Sequence, residues 1–292
     1  MIGAMSEFLL VHGMSHGGWA WDALRARLER AGHRVVAPDL PGHGRRAHEH
    51  ARASVGAYAR AAADAAIQAG FSRTVVVGHS MGGVVIPKVA ELIPTRVRHL
   101  VFVAAVVLPD GGSLLRTHLP PASGQLLRGL AQSGGGRVQY PAAIEWSRWY
   151  GDLPPGDPRV IDTLARLTPQ PFTPWAERVD MRRFYAMRVP ATYVRCLRDS
   201  AVPPARAAAY AARLGVKPID LDCAHSPMVS APDALARILT SVDRLGSPAA
   251  APRTATAVHR LGSPAAAPRT ATAVHRLGSP AAAPRTATAS VV

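Results

Sequence analysis

The chain has 292 residues, 34 Lys plus Arg against 19 Asp plus Glu, a formal charge of +15, two cysteines and 48% hydrophobic residues. These proportions suit one or two globular domains and exclude a disulfide-stapled miniprotein or a fibre. Lys88 and Lys217 are the only lysines and the arginines are spread along the whole length, so the basicity is a compositional habit and no specific nucleic-acid partner is expected.

The elements follow in chain order. Residues 1–6 run straight into the apolar run Phe8-Leu9-Leu10-Val11 without a secretory leader pattern, so the expected location is cytoplasmic. Residues 7–12 read as a strand. Residues 19–31 read as a helix with Trp21, Leu24 and Leu28 at helical spacing, closed by Gly32, and 34–37 as a second strand ending at Pro38. An alanine-rich helix over 54–69 stops at Gly70, followed by a strand at 74–77, a helix at 81–92 halted before Pro94, and a strand at 100–107. The longest apolar run, 100–108, is far below the roughly 20 residues of a membrane span, so no membrane partner is expected.

From 108 to 188 the alternation gives way to prolines, glycines and short helical patches, which predicts a cap inserted over the strand ends. It holds Tyr140, Trp146, Trp149, Tyr150, Phe172, Trp175, Phe184 and Tyr185, half of the chain's aromatics. They are expected to build the cap's own core, with some lining an apolar pocket. Gly134-Gly135-Gly136 is a candidate hinge. A strand at 191–197, a helix at 205–214, a strand at 217–222 and a helix at 233–242 complete the series. Short apolar strands separated by helices predict an α/β fold: a six-stranded, mostly parallel sheet with helices on both faces and a helical cap insertion. Cys196 and Cys223 read as buried small hydrophobes in neighbouring strands.

A 16-residue unit, Arg-Leu-Gly-Ser-Pro-Ala-Ala-Ala-Pro-Arg-Thr-Ala-Thr-Ala-Val-His, starts at Arg244, recurs at Arg260 and recurs with altered last residues at Arg276. Each unit has too little apolar surface to offset the entropy of ordering it. The expected organisation is a domain over 1–243, including the cap at about 108–188, and a disordered repeat tail over 244–292.

In a parallel sheet chemistry belongs at the carboxyl ends of the strands. After the third strand stands Gly78-His79-Ser80-Met81-Gly82-Gly83, a G-x-S-x-G between strand and helix. Such a turn strains the serine backbone and presents its hydroxyl at a helix N-terminus, where free N–H groups favour a developing oxyanion. Asp199 follows the fifth strand and His225 the sixth, giving the chain order Ser, Asp, His of nucleophile-elbow hydrolases. Asp110, after the fourth strand, is a rival acid, and Asp199 could instead cap the helix that follows it. His12, His16 and His79 could gather near the elbow, but no carboxylate or cysteine joins them at ligand spacing, so they read as braces of turns and no metal is expected. His43, with Arg45 and Arg46, lies in a glycine-rich stretch expected to be a solvated loop near the mouth.

These motifs give the chain a family likeness. Val11-His12-Gly13-Met14-Ser15-His16-Gly17-Gly18-Trp19-Ala20-Trp21, then 31–40, the elbow, and Ala224-His225-Ser226-Pro227 resemble the α/β-hydrolase-fold branch of plant methyl esterases, hydroxynitrile lyases and bacterial pyrethroid-type carboxylesterases. The resemblance implies an oxyanion hole from the backbone N–H groups of Met14 and Met81, with Ser80, His225 and Asp199 as catalytic residues. Its lyase members carry a threonine in the His-Gly turn and a lysine after the catalytic histidine; here stand Gly13 and Ser226, which favours hydrolysis. Serine at the elbow argues against dehalogenase and epoxide hydrolase chemistry. The expectation is a cofactor-free carboxylesterase for a small-molecule ester, with His12, Gly13, Trp146, Trp149 and Trp175 as substrate contacts. Another acyl-transfer, lactone or carbon-carbon hydrolase, or a non-catalytic ligand-binding module, is the alternative.

Overall fold

The computed structural model of the protein describes residues 5–245. The expectation of a disordered repeat tail falls outside them, save for the repeat's first two positions at the end of the last helix. The strands are β1 (Glu7–Val11), β2 (Arg34–Val36), β3 (Thr74–His79), β4 (Val97–Val103), β5 (Arg137–Val138), β6 (Gln170–Pro171), β7 (Ala191–Cys196) and β8 (Ile219–Leu221). Six of them form a parallel sheet in the order β2-β1-β3-β4-β7-β8. Every residue of β1 and β3 is buried, because helices cover the sheet and leave interior strands no face toward water, which is why they read as unbroken apolar runs.

The helices Val55–Gln68 and Gly82–Leu92 pack on each other, and Asp22–Arg30 packs on Pro232–Leu245. Val55–Gln68 starts where Ser54 Oγ accepts the Ala57 N–H at 3.0 Å, satisfying a donor that the helix leaves unpaired. No described helix is long and apolar enough to cross a membrane.

Two boundaries beside the elbow differ from the sequence pattern. β3 runs on to His79, whereas β4 ends at Val103, with 104–108 still buried. Ala104 has φ +46, which turns the chain out of the ladder, and the Val106 N–H then donates to the Ser80 carbonyl at 3.0 Å. The apolar run thus leaves the sheet to support the elbow. The solvated-loop reading holds for Arg45, whose side chain is almost fully exposed, and needs correction at His43. Gly44–Arg52 forms 3-10 turns broken by non-helical backbone at Arg46 and Glu49, and His43 is wholly buried because its ring bonds to Gln170 of the cap.

The cap comprises the helices Leu114–Thr117, Pro121–Ser133, Ala142–Trp149, Pro158–Arg166, Thr173–Ala176 and Arg182–Met187 around the antiparallel pair β5 and β6. Gly134 and Gly136 donate to the carbonyls of Leu130 and Ala131, so the glycine run is a C-cap for Pro121–Ser133. Trp149, Tyr150, Trp175 and Phe184 are buried, as are Cys196 and Cys223, both free thiols.

Glu145 lies among these cap aromatics, and burial raises its carboxyl from 4.5 to about 7. Because the folded-state value is the higher one, its protonated form supports folding below pH 4.5, and that support is lost as pH rises toward about 7. The expected outcome is that Glu145→Gln flattens the decline of urea-unfolding stability between these pH values and makes the variant more stable than the wild type above pH 7.

Candidate active site

Three loops at the carboxyl ends of β3, β7 and β8 converge. At the first, Ser80 has φ +52, a conformation unfavourable to a side-chain-bearing residue. Backbone bonds enforce it: the Ser80 N–H donates to Val103 O at 3.1 Å, and its carbonyl accepts from Gly83 N and Val106 N. The flanking glycines let the strand and helix approach. A Cβ on Gly78 would lie 2.7 Å from Gly82 O, and one on Gly82 would lie 2.7 Å from Val11 O.

The hydroxyl so presented meets the other two side chains. Ser80 Oγ is 2.9 Å from His225 Nε2, and His225 Nδ1 is 2.8 Å from Asp199 Oδ2. The other carboxylate oxygen, Asp199 Oδ1, accepts from the N–H groups of Ala201 and Val202, both at 2.8 Å. One carboxylate therefore serves as both turn cap and histidine partner. The rival Asp110 accepts from Met181 N and belongs to the cap's attachment. Asp199 and His225 are buried while Ser80 keeps partial exposure, an arrangement in which a hydroxyl can surrender its proton as it attacks an electrophile.

The turn after β1 lies against the hydroxyl: a Cβ on Gly13 would stand 2.9 Å from Ser80 Cβ. The backbone N–H groups of Met14 and Met81 donate to no carbonyl among the described residues. His12 requires a correction. It is fully buried; its Nδ1–H donates to Gly13 O at 2.9 Å and its Nε2 accepts Leu40 N–H at 3.1 Å. With both nitrogens engaged it braces the turn and has no atom left for substrate. Its bond to the Gly13 carbonyl polarises the same peptide whose N–H is that of Met14.

His79 braces the base from behind, donating from Nε2 to the His225 carbonyl at 2.9 Å with the rings 4.7 Å apart. Burial holds His12 and His79 well below their ordinary value and His16 down to about 4. These rings are neutral at pH 7, so an imidazolium forming on His225 meets no cationic neighbour in them.

The cap reaches the loops after β7 and β8. Ser200 Oγ donates to the carbonyls of Ser147 and Arg148, and the Ala224 N–H donates to Asp152 Oδ2 at 2.8 Å. Of the three expected tryptophans, Trp149 lies 5.5 Å from the His16 ring and Trp175 6.3 Å from His118, while Trp146 turns its indole N–H to Leu153 O inside the cap. His118, which sequence reasoning passed over, is buried against Trp175 and Tyr210, and burial with nearby Arg206 lowers it to about 3. Asp152, Ser200 and Gln170 were also passed over. Each is a single polar residue with no motif around it.

Comparison with known proteins bears on the family and the fold. The profile of the alpha/beta hydrolase family matches residues 8–238. The chain is 39% identical over 127 residues to a carbendazim hydrolyzing esterase of Nocardioides sp. (strain SG-4G), covering 40% of this chain and 49% of that protein. It is 29% identical over 257 residues to putative methylesterase 11, chloroplastic, of Arabidopsis thaliana, covering 82% and 64%. The chain thus spans between about half and just under two thirds of the length of these relatives. Among solved structures, an extracellular alpha/beta-hydrolase from a Paenibacillus species superposes with a TM-score of 0.74 at 24% identity, covering 81% of this chain and 98% of that one. A pyrethroid hydrolase from Sphingobium faniae JZ-2 gives 0.67 at 24%, covering 84% and 99%. These two share the fold.

The close approach at the elbow carries a stability prediction. In Gly82→Ala the new methyl meets the backbone carbonyl of Val11, which has no flexible end to yield, so a loss of about 1–3 kcal/mol is expected from the urea midpoint.

Proposed function

The chain belongs to the alpha/beta hydrolase family, and we propose that it hydrolyses a small to medium carboxylic ester, apolar or aromatic in its acyl or alcohol part, through an acyl-serine intermediate. The observation that carries this reading is the unbroken row Ser80 Oγ, His225 Nε2, His225 Nδ1, Asp199 Oδ2, with contacts of 2.9 and 2.8 Å. A pocket that merely held a ligand would have no use for a nucleophile kept in a strained backbone conformation and a base aligned on it.

In the proposed reaction Ser80 Oγ attacks the ester carbonyl as its proton passes to His225 Nε2. The carbonyl electron pair moves to oxygen, which the Met14 and Met81 N–H groups hold, and the buried Asp199 carboxylate stabilises the imidazolium. The tetrahedral intermediate collapses, the ester C–O bond breaks, and the His225 proton goes to the departing alkoxide. Water then gives a proton to His225 and attacks the acyl carbon; the bond from that carbon to Ser80 Oγ breaks as His225 returns the proton to Oγ, the acid departs and Ser80 is restored. Every atom is accounted for by enzyme, ester and water.

Three further features support the ester. Two relatives are named for esterase or methylesterase activity. Ser226, after His225, is buried and uncharged and supplies no cation for a leaving cyanide. Trp149 and Trp175 place buried apolar surface on the cap side of the site.

The test is kinetic. Ser80→Ala is expected to abolish turnover of p-nitrophenyl butyrate without changing the unfolding midpoint. A fluorophosphonate probe should label the wild type on Ser80, read by peptide mass spectrometry. Asp199→Asn is expected to lower kcat by about 10⁴-fold, because the amide favours the wrong imidazole tautomer. Undiminished turnover in Ser80→Ala overturns the assignment.

A further inference from the structure

The Met14–Ser15 peptide is gripped from both sides by bonds that lead into the cap. Its carbonyl accepts from His16 Nδ1–H at 2.6 Å, and its N–H donates to Gln170 Oε1 at 3.1 Å. His16 is itself fixed at its far end, where Nε2 accepts the Tyr150 hydroxyl at 2.5 Å. The Gln170 amide is oriented by three contacts: Nε2 donates to Pro171 O at 2.8 Å and toward Tyr58 Oη at 3.5 Å, and His43 Nε2–H donates to the same Oε1 at 3.0 Å. The next carbonyl, of Ser15, accepts from Thr168 N and Thr168 Oγ1. Tyr150 closes one cap helix, whereas Thr168 and Gln170 belong to a separate cap segment.

We propose that Tyr150 and Gln170 are positioning residues for the oxyanion hole: acting from the cap through the Met14–Ser15 peptide, they hold the Met14 N–H toward Ser80. Ser15 has φ +61, so the turn does not hold this shape by its own preference. Its His16 and cap partners supply the constraint. Ser15, His16, Tyr150 and Gln170 are all buried, so water does not replace a lost partner without cost. An oxyanion donor acts only where the charge develops. The Met14 N–H sits in the preceding Gly13–Met14 peptide, joined to the gripped one at the Met14 Cα, so losing the grip lets that Cα shift and carry the N–H away from that point. The cap therefore completes the catalytic machinery as well as covering it, and the seating of its two segments is coupled to transition-state stabilisation.

This inference rests on the proposed esterase reading. The variants are Tyr150→Phe, which removes only the hydroxyl, and Gln170→Met, which removes the acceptor at similar volume, both in the full chain. With p-nitrophenyl butyrate each is expected to lower kcat about 10- to 100-fold, a fraction of the effect of deleting a donor outright. KM should stay within about threefold, and the pH dependence of kcat/KM should not move, because the His225–Asp199 pair is untouched. An unchanged kcat in both variants, a loss confined to KM, or a displaced pH profile overturns the proposal. Crystal structures of the two variants read the same point without turnover: a Met14 N–H displaced relative to Ser80 supports it and an unmoved one overturns it. An inactive wild type that leaves Ser80 unlabelled by fluorophosphonate defeats the esterase reading instead, and the position of the Met14 N–H in the variant structures then still decides whether the cap holds the turn.

Discussion

The backbone of Ser80 is the constraint on which the remaining geometry depends. A residue with a Cβ adopts φ +52 only where its surroundings leave no alternative. Here those surroundings are the carbonyl of Val103, the N–H groups of Gly83 and Val106, and the close approach of Gly78 and Gly82 to neighbouring backbone. The diversion of the chain at Ala104 serves the same end, since it brings Val106 under the serine carbonyl. Helix start, strand end and nucleophile are one mechanical unit. The side chain it projects meets His225 because β8 ends beside β7, and that is also why Asp199 reaches the far side of the imidazole.

Burial around this unit acts on charge as well as on packing. His12, His16 and His79 crowd the site yet are held neutral by desolvation, and each directs a ring N–H at a backbone carbonyl. They stiffen the loops without adding positive charge beside His225, where the proposed reaction forms an imidazolium. Among the described residues Asp199 is the one carboxylate hydrogen-bonded to His225, and its second oxygen is committed to two backbone N–H groups, so the group is fixed in orientation. The cap extends this stiffening. Ser200, Ala224 and the turn at Ser15 each bond to it, so the loops that carry Asp199, His225 and Met14 are tied to one inserted element.

The sequence by itself determined the parallel six-stranded scaffold and marked Ser80 and His225 as candidates at strand ends, since unbroken apolar strands, flanking glycines and the position of each polar residue after a strand are local signals. It left Asp199 and Asp110 as rivals, because both follow a strand. Only the sheet order, with β7 beside β8, decided between them, and it sent Asp110 to the Met181 N–H. His43 looked solvated in a glycine-rich stretch, and His12 looked like a substrate contact, until the fold buried both against backbone and cap. Gln170 and Tyr150 show the limit most plainly: each meets the oxyanion turn across more than a hundred residues of chain. Such a contact leaves no periodicity or spacing in the sequence. It exists only once hydrophobic burial has brought distant segments together and every buried polar group must find a partner where it lands.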